Sequence, residues 1–254
     1  MLIDTHTHLY LPDFAQDLEN VISTAQQQGV ERFILPNVDC NSIEPMLAVT
    51  QKFSCCSPAM GLHPTSVNAE SQSCLEKIIS KINTSEFVAI GEIGIDLYWD
   101  KTYLNEQRDA FSLQLELALH QHLPVIIHSR DAFPEIFDVL NSFRGRGLTG
   151  VFHSFSGGLD EVNWIQNFGG FYFGIGGVIT FKNSDLKHTV REIPIEEIVL
   201  ETDSPYLAPV PHRGKRNSSA YIPLIAQSLA TYKATTFERV EEITTGNAIQ
   251  LFNL

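Results

Sequence analysis

Cationic side chains are scarce in this 254-residue chain, where 17 Lys and Arg stand against 30 Asp and Glu for a net charge of −13. That balance excludes broad, unassisted adhesion to nucleic acid or to an anionic membrane, so a polyanionic substrate would have to be held locally, by metal ions or a small basic cluster. Cysteine is sparse too. Cys40, Cys55, Cys56 and Cys74 contain no C-x-x-C spacing and the adjacent pair is poorly placed for a structural bridge, so reduced, packed thiols are expected. No apolar run approaches the roughly 20 residues of a membrane helix, and the N-terminus lacks a basic signal-peptide region. A cytoplasmic protein without membrane association is expected.

No linker, charge block or low-complexity segment divides the chain, which is therefore read as one domain over residues 1–254. Apolar residues make up 43% and charged residues 19%, the balance of a globular enzyme. Eight short runs rich in Val, Ile and Phe recur along it: 2–9, 32–38, 58–63, 87–96, 124–129, 150–155, 171–179 and 198–204. Helix-period segments such as 13–28, 74–82 and 104–121 lie between them. Such alternation implies parallel strands with right-handed crossovers, and eight units point to a closed (β/α)₈ TIM barrel. The competing doubly wound sheet would carry Gly-x-Gly-x-x-Gly after its first strand, where this chain has His8-Leu9-Tyr10-Leu11-Pro12.

In such a barrel the active site is built at the C-terminal ends of the strands. The first run carries His6 and His8 two residues apart, hence on one face of a strand, with Asp4 below them. Run four is apolar until Glu92, a carboxylate between two glycines that needs a cation or a donor partner if buried. Runs five and six end in His128 and His153, and run eight ends in Glu201 and Asp203. His6, His8, Glu92, His128, His153 and Asp203 are too many ligands for one tetrahedral zinc. Two divalent ions fit better, one held by His6, His8 and Asp203 and the other by His128 and His153. Glu92 would bridge them, with a water activated between the ions for hydrolysis.

Asp4 and Glu201 are expected behind the ligands, orienting them. His63 ends run three with no metal position left to fill, and is assigned to substrate phosphate or leaving group. Glu92, His63 and Asp203 are the residues expected to act on the reaction itself. After run eight, Arg213, Lys215 and Arg216 fall within four residues, and the forked guanidinium makes Arg213 and Arg216 the better phosphate contacts. Tyr98 and Trp99, after run four, could stack on a base or pack locally.

With these residues collected, the chain resembles the TatD family of metal-dependent deoxyribonucleases. The resemblance runs through Asp4-Thr5-His6-Thr7-His8, Gly61-Leu62-His63-Pro64, Gly91-Glu92-Ile93-Gly94-Ile95-Asp96, His128-Ser129-Arg130, His153-Ser154-Phe155-Ser156-Gly157 and Glu201-Thr202-Asp203-Ser204-Pro205-Tyr206-Leu207. It implies the barrel and dependence on divalent metal, and a His/Asp/Glu shell can take Mg²⁺, Mn²⁺, Zn²⁺ or others. It also implies hydrolysis of DNA phosphodiesters, often as a 3′-to-5′ exonuclease preferring single strands, with DNA single strands or ends as the partner and no obligate protein partner. The chain departs from the family pattern at Ser218-Ser219, where Glu-Pro usually follows Arg-Asn. The runner-up reading is an amidohydrolase-like barrel cleaving a small ester, lactone or amide with the same metals. A small neutral substrate gives no reason to gather three cations in that loop. A barrel that binds without turnover is the third, disfavoured because none of the six ligands is missing.

Overall fold

A computed structural model describes residues 1–254, and its eight strands form one parallel sheet in sequence order. They are β1 (Leu2–Asp4), β2 (Val30–Pro36), β3 (Cys56–Met60), β4 (Ala89–Asp96), β5 (Val125–Arg130), β6 (Gly150–Phe152), β7 (Phe171–Ile175) and β8 (Ile198–Leu200). The helices between them are α1 (Leu18–Gln27), α2 (Ile43–Lys52), α3 (Ser71–Ile82), α4 (Leu104–Gln121), α5 (Phe133–Asn141), α6 (Leu159–Phe168) and α7 (Leu186–Glu192). Two more, α8 (Ile222–Tyr232) and α9 (Phe237–Phe252), follow β8. This is the (β/α)₈ barrel that the alternation predicts. No helix is long and apolar enough to cross a membrane.

Closure between β8 and β1 uses single bonds rather than a long ladder. Thr5 N–H donates to Leu200 O (3.0 Å), Asp203 N–H to His6 O (2.9 Å) and His8 N–H to Ser204 O (2.8 Å). The strands end earlier than the apolar runs suggest: β1 stops at Asp4, and the chain bends at Thr5 and His6. Past that point the backbone bonds outward to two neighbours, Thr7 N–H reaching Ile34 O of β2 at 3.0 Å. His6 and His8 thus sit on a short stretch pinned from both sides.

Two apolar cores flank the sheet. The larger fills the space between strands and helices. The smaller lies inside the barrel and takes Ile3, Ile34, Ala59, Ala89, Ile126, Val151 and Val199, one residue from each of seven strands, against Ala248, Leu251 and Phe252 of α9. Because residues two apart share a strand face, the inward row continues upward from Ile126 to His128, from Val151 to His153 and from Val199 to Glu201. The apolar floor and the polar site are successive layers of one interior.

One cysteine expectation is corrected. Cys40, after β2, and Cys74, in α3, are joined by a disulfide with Cα atoms 5.7 Å apart, although 34 residues separate them in sequence; Cys55 and Cys56 remain free. The crossover brings the two together, which a search for short C-x-x-C spacings does not register.

Candidate metal centre

Glu92 lies at the centre of the barrel mouth, buried, with each carboxylate oxygen facing a different set of imidazoles. Its Oε2 is 3.2 Å from His6 Nε2 and 3.9 Å from His8 Nε2. Its Oε1 is 2.8 Å from His153 Nε2, 2.9 Å from His128 Nδ1 and 3.3 Å from His63 Nε2. Burial opposes the charge, but the imidazoles of His153, His63 and His6 outweigh it and hold Glu92 well below the usual carboxylate range. Asp203 completes the first side: its Oδ1 is 3.4 Å from His8 Nε2 and 3.8 Å from His6 Nε2.

Hydrogen bonding around the site decides where several protons sit. Tyr10 Oη donates to Pro36 O at 2.6 Å, and a carbonyl can only accept, so the hydroxyl is left as an acceptor for His8 Nδ1 at 2.9 Å. His8 Nδ1 therefore carries the proton, and the Nε2 lone pair faces the cluster. His63 is the reverse: its Nδ1 accepts from Thr65 N–H at 3.1 Å, which puts the proton on Nε2. His63 thus offers a donor where His8 offers a lone pair.

A cation fits this set on the structure's own terms. His6 Nε2 and His8 Nε2 are 3.2 Å apart, with two carboxylates beside them and His6 Nδ1 buried without a partner. Ligand atoms about 2.0–2.2 Å from one ion stand roughly 3.0–3.5 Å from one another, so this spacing suits a shared ion. Three groups have the compactness of a metal site: His6, His8 and Asp203; His6, His153 and Glu201; and His63, Glu92 and His128. The first is the trio expected from sequence. The third includes His63 in place of His153, but its protonated Nε2 makes His63 a donor there, while both ring nitrogens of His128 face carboxylates, Nδ1 that of Glu92 at 2.9 Å and Nε2 that of Asp96 at 2.8 Å.

The supporting residues take distinct places. Asp4 is fully buried and accepts from Thr202 N–H (2.9 Å) and Thr202 Oγ1 (2.6 Å), and from His6 N–H (3.3 Å), so it braces β1 against the loop after β8. Burial raises its carboxyl to about 7 in spite of those donors. Glu201 stands behind His153, with Oε1 3.5 Å from Nδ1, and accepts the Ser154 N–H. Burial alone would lower His153, yet the carboxylates of Glu92 and Glu201 hold it well above the ordinary imidazole range. His128 is raised too, burial being overcome by Asp96 and Glu92, whereas burial lowers His6 and His63.

Two of the cations in the loop after β8 lie away from the cavity. Arg216 points away from the mouth and makes a two-pronged ion pair with Asp17 (2.9 and 2.6 Å), its guanidinium resting over Phe14. Arg213 lies over the Phe181 ring at 4.2 Å. Neither lines the cavity above Glu92, which encloses about 920 Å³; Lys215 does. Local acidic and aromatic neighbours, invisible in the residue order, claim the two guanidinium groups. Ser218-Ser219 does not loosen the loop, because the Asn217 side chain donates to Thr202 O (2.8 Å) and Tyr206 O (2.6 Å) and Ser218 Oγ accepts from Ala220 N–H (3.3 Å).

Sequence reasoning passed over Asp96, Tyr10 and Arg130. Asp96 Oδ2 is 2.8 Å from His128 Nε2 while its Oδ1 accepts from Tyr98 N–H (3.0 Å) and Trp99 N–H (3.2 Å). The signal for Asp96 was present, since it stands two pleats beyond Glu92 on one strand. Arg130 lines the cavity, and neither it nor Lys215 has a carboxylate within ion-pair distance.

A family model described as TatD related DNase matches residues 3–253. The uncharacterized metal-dependent hydrolase YabD of Bacillus subtilis is 36% identical, with all of both chains covered. The 3′-5′ ssDNA/RNA exonuclease TatD of Salmonella typhimurium is 28% identical over all of this chain and 99% of its own. Among solved structures, the TatD homologue YjjV of Escherichia coli superposes with a TM-score of 0.94 at 29% identity, covering 100% of this chain and 98% of that one.

Proposed function

This chain belongs to the TatD related DNase family of metal-dependent hydrolases, and within it we propose a deoxyribonuclease that removes nucleotides 3′ to 5′ from single-stranded DNA or DNA ends. The observation that carries the reading is the chemistry of the cavity: a floor of imidazoles and carboxylates around Glu92, and a rim bearing two cations, Arg130 and Lys215, that no carboxylate neutralises. A phosphodiester fits such a site, with metal on the floor and its charge met at the rim. The Salmonella relative, a 3′-5′ ssDNA/RNA exonuclease, agrees in substrate class.

In this reading His6, His8 and Asp203 would hold one divalent ion and His128 and His153, once neutral, a second, with Glu92 shared between them. Bound Mg²⁺, Mn²⁺ or Zn²⁺ supplies an acidified water and neutralises phosphate charge. Tyr10 keeps the His8 lone pair on Nε2, and Glu201 and Asp96 orient His153 and His128. His63 donates from Nε2 to an oxygen of the substrate phosphate or leaving group. Lys215 and Arg130 bind non-reacting phosphates.

The test is release of nucleotides from single-stranded DNA by a clean preparation with Mg²⁺ or Mn²⁺, abolished by EDTA and by His128→Ala. Full activity in either control defeats the reading. Hydrolysis of small esters or lactones, indifferent to mononucleotides and inorganic phosphate, favours an amidohydrolase-like activity instead.

A further inference from the structure

The two tryptophans are treated very differently by the fold. Trp164 is stacked on Phe137 (ring centroids 3.9 Å apart, 10° between planes) and borders Phe168 at 5.5 Å, so packing accounts for it. Trp99, in the loop after β4, is 70% exposed yet lines the cavity above Glu92. Leaving that much indole in water forgoes the burial that usually holds a tryptophan in a sequence.

Its surroundings are built rather than loose. Asp96 Oδ1 accepts from the backbone N–H groups of both Tyr98 and Trp99, while Asp96 Oδ2 meets His128, so one buried carboxylate fixes the aromatic loop relative to the reaction site. Tyr98 stands edge-on to Trp99 at 5.0 Å, and the Arg130 guanidinium lies 3.7 Å from the Tyr98 centroid and 5.4 Å from that of Trp99. Arg130, free of carboxylates, therefore sits against the aromatic pair and beside the cavity. Four strands away, Tyr206 and Lys215 line the opposite side of the same mouth. A flat apolar ring beside a free guanidinium matches one nucleotide unit: a π-face for the base and a cation for its phosphate.

We propose that Trp99 is a stacking platform for one unpaired nucleobase of the substrate strand, with Arg130 on the adjoining phosphate. The inference takes its substrate class from the phosphodiesterase reading above and deepens it: a base inside a duplex has no free face to offer, so the platform selects single strands and frayed ends. Trp99 acts as a positioning residue, touching the base and not the reacting phosphate.

The experiment follows tryptophan emission and affinity in the Mn²⁺-loaded protein, using phosphorothioate-linked hexathymidylate and the same strand with its two terminal bases deleted at either end. The base-bearing strand is expected to quench the emission of wild type and of Trp164→Phe, but not of Trp99→Phe. Trp99→Ala is expected to weaken the base-bearing strand about tenfold or more, Trp99→Phe to restore most of that loss, and the base-deleted strands to bind all variants alike. Unquenched emission, no binding of the strand, or equal affinity of wild type and Trp99→Ala overturns the platform. Cleavage of the unmodified strand is read separately. Quenching through Trp99 without cleavage leaves the platform standing and removes the nuclease reading, and cleavage indifferent to Trp99 does the reverse.

Discussion

His8 and Tyr10 share a hydrogen bond of 2.9 Å whose direction is set by a third group, the Pro36 carbonyl that takes the tyrosine's own proton. The consequence is a His8 ring with its lone pair on Nε2, turned toward His6, Glu92 and Asp203. Removing the hydroxyl leaves His8 Nδ1 without an acceptor and lets the ring change tautomer or turn. Tyr10→Phe should therefore keep the fold but weaken metal binding about 10- to 100-fold, read by titration with Mn²⁺ or Zn²⁺. Unchanged affinity would mean that the hydroxyl is only packing.

Metal binding should be coupled to pH through His153 and His128, whose pKa values stand above the ordinary 6.5. A raised histidine contributes stability to the metal-free protein that is fully present below 6.5 and is lost as pH climbs through the raised value. The metal requires neutral imidazoles, so it displaces those protons, and below the raised pKa its affinity falls by about tenfold for each unit the pH drops, per proton displaced. Glu92, held below 4.5, stays charged throughout. The gap in melting temperature between Mn²⁺-loaded and EDTA-treated protein should widen from pH 5.5 to pH 8.5. A constant gap contradicts the proton competition.

Gly174 leaves room for the Glu201 carboxylate: a Cβ added there would lie 2.3 Å from Glu201 Oε2 and 3.0 Å from the His153 Cα. Gly174→Ala should cost about 1–3 kcal/mol in chemical denaturation, the usual penalty of overfilling a core, and should weaken metal binding through the displaced Glu201. Wild-type stability in this variant would show that Glu201 has space to retreat.

The two cations at the end of the β8 loop should separate cleanly. Arg216→Ala breaks an exposed pair with Asp17 and should cost no more than about 1 kcal/mol, with KM for single-stranded DNA unchanged. Lys215→Ala should raise KM several-fold and flatten its salt dependence, since one phosphate contact is lost. The opposite pattern would return the phosphate role to the arginine.

The barrel and the histidine set were legible because both rest on period. Apolar runs at regular spacing specify strands whatever the details of the loops, and His128, His153 and Glu201 stand two residues above the inward-facing Ile126, Val151 and Val199. Strand ends were less legible, as at β1, because most of the bonds that continue past Asp4 are made by neighbours almost two hundred residues away. The same limit explains Arg213 and Arg216. A run of cations indicates local charge, but Asp17, Phe14 and Phe181 decide where each guanidinium goes, and only the folded chain brings them near. The Cys40–Cys74 bridge and the Pro36 carbonyl that orients Tyr10 were missed for that reason too: those partners are distant in sequence and ordinary in type.

The sharing of Glu92 between two ions is tested most directly by counting metal. Equilibrium titration with elemental analysis should give two equivalents of Mn²⁺ or Zn²⁺ per wild-type chain. Asp203→Asn should weaken one site and His128→Ala the other, while Glu92→Gln weakens both. A single equivalent in the wild type, or a Glu92→Gln protein that retains one site at full affinity, would contradict the account.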